Sequence, residues 1–127
     1  MEWHFDDNMP IYTQLVYQIK FAIVSGELSP GEKMAGVRDL AADAGVNPNT
    51  MQRALQQLER EGLVFTQRSS GRFITEDTAV IGEAKRTLAR QHIEQFMASM
   101  KKLGYTREEI IALLESGEEE DKNGSML

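Results

Sequence analysis

Between Asn49 and Arg60 the chain sets Asn49, Gln52, Arg53, Gln56, Gln57 and Arg60 around Met51, Ala54, Leu55 and Leu58. On a helix the apolar set falls on one face, and the amides and guanidiniums fall on the other. Side-chain amides pair bidentately with the edge of adenine and guanidiniums with that of guanine, in a major groove that admits one helix. Such a helix reads bases mainly through its N-terminal residues. Asn49, Thr50, Gln52 and Arg53 are therefore the candidate readers, with Gln56, Gln57 and Arg60 further along, toward phosphate or water. A merely solvated face explains many Gln-rich helices. Against it here stands the context: an N-cap at Asn47, Pro48 in the first turn, a tight corner at Gly45-Val46, and a β-hairpin directly after.

That hairpin reads as "LVFTQ" and "RFITE" around "RSSG", with Gly71 able to take a positive φ. Its tip offers Arg68, Ser69, Ser70, Gly71 and Arg72 to a nucleic-acid backbone; the plainer reading is an ordinary exposed hairpin. Arg38 opens a short helix where a cation opposes the macrodipole, so its placement asks for an anion, a phosphate or a surface pairing with Asp39 or Asp43. Other chemistry has little support. The chain has no cysteine, and His4 and His92 stand apart, which leaves no thiolate or histidine metal site. No carboxylate pair, phosphate-cradling Gly loop or nucleophile motif is visible, so no enzyme, cofactor or metal is expected.

The elements that must position these groups follow from periodicity. "PIYTQLVYQIKFAIVSG" is an amphipathic helix stopped at Gly26, and "ELSPGEKM" is a turn-bearing connector. "GVRDLAADAG" is a short helix with Val37, Leu40, Ala41 and Ala44 inward, and Pro48 to about Glu61 is the third helix. Trp3, His4 and Phe5 read as a short strand or a packing flap. Three helices followed by a hairpin make a winged helix-turn-helix, so the fold class is mainly α with a small β-hairpin. Ile81, Ala84, Leu88, Ile93, Phe96, Met97, Met100 and Leu103 then form one stripe on a long helix closed by Gly104, and a Thr106/Glu109 capping box opens a last helix. Two helices cannot enclose a core, so the stripe needs a second copy, with Ile81, Leu88, Ile93, Phe96, Met97 and Met100 as the dimerisation residues. The organisation expected is 1–76 for the DNA-binding domain, 77–116 for the helical dimerisation region, and 117–127 for an acidic, disordered tail.

Charge agrees with that division. The net charge is −6, yet residues 33–72 carry six bases against four acids, while residues 76–127 carry seven bases against eleven acids. The candidate reading stretch is thus mildly basic in an acidic chain. No apolar run is long enough for a bilayer and no signal peptide is apparent, so a cytoplasmic protein without membrane contact is expected.

Residues 10–74, "PIYTQLVYQIKFAIVSGELSPGEKMAGVRDLAADAGVNPNTMQRALQQLEREGLVFTQRSSGRFI", closely resemble the DNA-binding domain of the GntR family of bacterial transcription regulators. "PIY.Q", "G.L.PG", "VR.LA", "GVNPNT", "RAL..LE.EGL" and a final "G.F" occur in the family's order and spacing. The short helical remainder resembles the YtrA-like subgroup, which lacks a large effector domain and dimerises through these helices. The resemblance implies operator contacts by Arg38, by Asn49, Thr50, Gln52 and Arg53, and by Arg68, Ser69, Ser70 and Gly71. Two departures stand out. Ala35-Gly36 replaces the usual Pro-Ser before Val-Arg, removing a hydroxyl, and Ser69-Ser70-Gly71 replaces a Gly-Lys-Gly wing, removing a lysine. The expectation is a homodimeric repressor on a double-stranded, pseudo-palindromic operator. The alternative is a winged helix used for protein–protein interaction. Any small-molecule effector would have to sit between the C-terminal helices, because no length remains for a sensing domain.

Overall fold

Apolar side chains repeating at three- and four-residue steps can close a core only when several helices turn those faces together. In the computed structural model, which describes the backbone of residues 1–122 and the side chains of residues 1–117, they do so around the third helix. The elements are α1 (Ile11–Val24), α2 (Val37–Ala44), α3 (Pro48–Arg60), β1 (Val64–Gln67), β2 (Gly71–Ile74), α4 (Thr78–Lys102) and α5 (Arg107–Lys122). The chain divides into two units, Met1–Leu88 and Ala89 onward. α4 runs through the division.

The first unit is a winged helix-turn-helix. Leu15, Ile19 and Ile23 of α1 join Ala41 of α2, Met51, Ala54, Leu55 and Leu58 of α3, and Leu63, Val64 and Ile74 of the wing in one buried cluster. Each fully buried Leu or Ile stabilises by about 1.5–3 kcal/mol relative to exposure. α3 is central because both α1 and α2 pack on it and β1 follows directly. The helix-turn-helix corner is local chemistry: Gly45 takes φ 72°, and the Val46 N–H donates to the Ala41 carbonyl at 2.9 Å. A left-handed glycine closing a helix in this way satisfies carbonyls that would otherwise lack a partner.

The wing is a two-stranded antiparallel hairpin in the register Val64↔Ile74 to Gln67↔Gly71. The connector after α1 also contributes, which its sequence did not suggest. Lys33 bridges Phe73, the Met34 N–H donates to the Arg72 carbonyl at 2.8 Å, and the Ile74 N–H donates to the Glu32 carbonyl at 2.9 Å. β2 is thus paired on both edges.

The N-terminal segment is a packing flap and forms no strand. Gln14, nearly buried, accepts from the Asp6 N–H at 2.7 Å and donates to the Asp6 and Met9 carbonyls, while Gln18 exchanges two hydrogen bonds with His4. Side-chain amides of α1 therefore take the backbone groups that a neighbouring strand would have taken. Trp3 and Phe5 stack on each other and pack against the core.

α4 begins behind an Asp77 cap, whose carboxylate accepts from the Ala79 N–H at 3.0 Å. The stripe on this helix serves two purposes. Val80, Ile81 and Ala84 pack against the core of the first unit, and Leu88 is 6 % exposed. Ile81 and Leu88, grouped by periodicity with the dimerisation residues, are therefore covered within the chain itself. In the second unit Ile110 is the one buried side chain among the described residues, whereas Ile93, Phe96, Leu103, Ile111, Leu113 and Leu114 are exposed, with Met97 and Met100 half-buried. Thr106 and Glu109 form the reciprocal capping box at 2.9 and 3.2 Å. α5 continues to Lys122, past Ser116, where the acidic tail was expected to begin; the last residues of that expected tail, 123–127, lie outside the described residues.

Candidate nucleic-acid interface

α3 is set up at its first turn. Asn47 sits at φ −64°, ψ 133°, outside the helix, and its Oδ1 accepts from the Asn49 N–H at 2.7 Å. Pro48 follows at a position where no N–H is needed. With Met51, Ala54, Leu55 and Leu58 all buried, the opposite face of α3 is held outward. It carries Asn49, Arg53, Gln56 and Arg60 exposed, with Thr50, Gln52 and Gln57 half-buried.

These side chains fall into two groups. Those of Asn49, Gln52 and Gln56 make no hydrogen bond among the described residues, so their amides keep both donor and acceptor for a ligand. Gln57 and Arg60 are engaged: Arg60 Nη2 donates to Gln57 Oε1 at 2.7 Å, Gln57 Nε2 donates to Glu61 Oε2 at 2.9 Å, and Glu61 pairs with Lys20 of α1 at 2.6 Å. Partial burial works to raise the Glu61 carboxyl, but hydrogen bonds from Lys20 and Gln57 and the nearby charges of Lys20 and Arg60 outweigh it and hold the group below its ordinary value. The C-terminal half of the polar face therefore braces α3 against α1.

Arg53 has a different partner. Its guanidinium lies over the Tyr12 ring of α1, 4.4 Å from the centroid, and the Tyr12 hydroxyl lies 3.4 Å from Gln57 Oε1. Sequence periodicity cannot show such a stack between two helices, and Tyr12 was not singled out by it.

At the wing, Arg68, Ser69 and Ser70 form an exposed three-residue tip closed by a Ser70 N–H to Gln67 carbonyl bond of 3.1 Å, with Ser69 at φ 67°. Gly71 has φ 109°, and a Cβ there would sit 3.2 Å from Lys33 Cε. The absent side chain leaves room for the Lys33 stem to pass beside the wing tip. Lys33 is exposed, beside a wing tip that has no lysine of its own. Its signal was available only as a base in the connector, because the bridge to Phe73 needs the fold. Arg72 is directed elsewhere. Its Nε donates to Glu59 Oε1 of α3 at 2.6 Å, and Thr66 donates to the same oxygen. Partial burial favours the protonated Glu59 carboxyl, yet the Thr66 and Arg72 hydrogen bonds and the Arg72 charge prevail and hold it below its ordinary value. Arg72 thus joins the wing to the reading helix.

Arg38 stands exposed at the start of α2 and makes no hydrogen bond or ion pair among the described residues. It pairs with neither Asp39 nor Asp43, and Asp43 Oδ2 accepts from Trp3 Nε1 at 2.8 Å. Among the described residues there is no group of metal-ligating side chains, and no helix is long and apolar enough to cross a membrane.

The first unit therefore presents unengaged amides, three arginines (Arg38, Arg53 and Arg68) whose N–H groups make no hydrogen bond or ion pair among the described residues, and an exposed wing tip. The chain is similar to known proteins. The profile of bacterial regulatory proteins of the gntR family matches residues 11–74. The chain is 42% identical over 111 residues, covering 87% of its own length and 92% of the relative's, to the uncharacterized HTH-type transcriptional regulator YhcF of Bacillus subtilis (strain 168). It is 33% identical, at 90% and 94% coverage, to the HTH-type transcriptional repressor YtrA of the same organism. A solved structure of a GntR family transcriptional regulator from Listeria monocytogenes superposes with TM-score 0.81 at 41% identity, covering 88% of this chain and 98% of that one.

Proposed function

Because the chain belongs to the gntR family of bacterial regulatory proteins, and is with them a DNA-binding transcriptional regulator rather than an enzyme, we propose that it acts as a homodimeric repressor on a pseudo-palindromic operator. The observation that carries this reading is the pairing of an unengaged polar face on α3 with an uncovered apolar face in the second unit. Asn49, Thr50, Gln52 and Arg53 read base edges in the major groove; Arg38 and Lys33 hold phosphates; Arg68, Ser69, Ser70 and Gly71 contact the backbone at the wing. Arg72 supports that wing through Glu59 and does not reach out itself.

Ile93, Phe96, Met97 and Met100 bury against a second copy, joined by the exposed Leu113 and Leu114. Two such protomers meet half-sites about one helical turn, roughly 34 Å, apart. Repression is the role named for YtrA, which shares nearly the full length of this chain. It follows physically when a bound dimer covers a promoter, and the work is done in the cytoplasm, where the DNA is.

The test is selection of bound sequences from a random duplex library, followed by titration of the selected site against scrambled duplex at about 150 mM salt. A two-fold symmetric consensus bound about a thousandfold or more tightly than scrambled DNA is the expected result. An enriched single half-site bound by a monomer would sink the dimeric part of the reading.

A further inference from the structure

We propose that Tyr12 is a positioning residue for sequence readout, holding the Arg53 guanidinium by its face so that its N–H edge is presented to the paired acceptors of a guanine. The proposal rests on the reading above that Arg53 faces the operator. A guanidinium has a face that stacks on aromatic rings and an edge that donates hydrogen bonds, and using the first leaves the second available. Arg53 is in that condition. Its guanidinium carbon lies 4.4 Å from the Tyr12 centroid, and its N–H groups make no hydrogen bond or ion pair among the described residues. Arg60 and Arg72 show the contrast, since both direct N–H groups at acceptors of their own chain, Gln57 and Glu59.

The platform is itself fixed. Tyr12 is the second residue of α1, behind Pro10; its ring packs against the core, and its hydroxyl reaches Gln57 Oε1, an oxygen that also accepts from Arg60, while Gln57 Nε2 is tied through Glu61 to Lys20. A long side chain ordered before DNA arrives loses less conformational freedom on binding, and its edge meets the base in one orientation. Guanine offers the paired acceptors O6 and N7, and a phosphate offers paired oxygens. Both are double acceptors, but only the base makes the contact depend on sequence. The position of Arg53 in the second turn of α3, on the face of Asn49 and Gln52, favours the base.

The experiment uses the full chain and its selected operator. Wild type, Tyr12→Leu, Tyr12→Phe and Arg53→Ala are titrated against the operator and against duplexes with each guanine of a half-site replaced, and each variant's melting curve is recorded. Arg53→Ala is expected to abolish the preference for one guanine, a loss of about tenfold or more. Tyr12→Leu is expected to weaken that same preference by about two- to fivefold, and Tyr12→Phe, which keeps the ring, is expected to retain it.

Equal weakening by Tyr12→Leu on every duplex, scrambled DNA included, would make Tyr12 a packing residue and overturn the proposal. So would Tyr12→Phe doing the same damage as Tyr12→Leu. Preservation of the guanine preference in Tyr12→Leu while Arg53→Ala abolishes it would overturn the positioning role and leave Arg53 as a reader. If Arg53→Ala weakens all sequences alike and lowers the salt dependence by about one counterion, Arg53 holds phosphate and both readings of it fall.

Discussion

Leu15, Met51, Leu55 and Leu58 of the first unit have no solvent exposure at all, while in the second unit Ile93 is 60 % exposed, Leu103 71 % and Leu114 57 %. Both units are built from amphipathic helices with comparable apolar stripes. What separates them is the number of elements available to cover each stripe. Two helices and a wing surround α3, so its apolar face is consumed within the unit. From Ala89 onward there is part of α4 and α5, and these bury Ile110 but leave most of the stripe bare. The apolar face of the first region is satisfied by its own contacts, whereas much of that of the second stays exposed among the described residues. Two carboxyls held below their ordinary value, Glu59 and Glu61, lie in the first unit and tie α3 to the wing and to α1.

The largest expected effect tests the closed unit. Leu55→Ala removes a side chain with no exposure from the centre of the core. It is predicted to destabilise the first unit by about 2–5 kcal/mol, read from urea denaturation followed by circular dichroism. The loss should be the same at any protein concentration.

Next comes the open unit. Ile93→Asp places a charge on its exposed face and is predicted to weaken self-association by on the order of 2 kcal/mol in sedimentation equilibrium, while the urea midpoint of the first unit stays where it was. If self-association is unaffected, the apolar face is covered by something other than a second copy and the comparison loses its meaning. Asn47→Ala, at the entrance to α3, should cost about 1 kcal/mol of stability, because the Asn49 N–H loses its acceptor. Operator affinity should fall with it, since the same turn carries Asn49 and Thr50, two of the proposed readers.

The smallest effect is set by pH. A carboxyl whose folded pKa is depressed adds stability that is fully present above its unfolded value, here 4.5, and is lost as pH falls from there through the folded pKa. Stability of the first unit should therefore decline below about pH 4.5, and Arg72→Met should reduce the Glu59 share of that decline, the Thr66 hydrogen bond remaining, and leave the Glu61 share. An acid limb unchanged in Arg72→Met would show that the Arg72–Glu59 pair contributes nothing measurable in solution.

Much of this molecule could be read before any coordinate was known. The inward face of α3, the Asn47 cap, the Gly45 corner, the Thr106/Glu109 box and the order of helices before the hairpin all appear as expected. What could not be read was where particular polar groups turn. Arg72, a candidate contact at the wing tip, lies against Glu59; Arg60, which the helix places toward phosphate or water, lies against Gln57. Ile81 looked like part of an interface and packs on the core of its own unit.

The reason lies in the range over which each rule acts. Caps, turns and helical faces are settled by residues within about one turn of each other, through backbone hydrogen bonds and the 3.6-residue repeat. The sequence alone therefore determined the elements, their faces and the family to which they belong. Tyr12 under Arg53, Lys33 beside Gly71 and β2, and the split of the α4 stripe between a closed core and an open face join residues far apart in the chain. Only packing decides such pairs, because a side chain settles among the partners that three-dimensional proximity offers, and no periodicity in the sequence records which those will be.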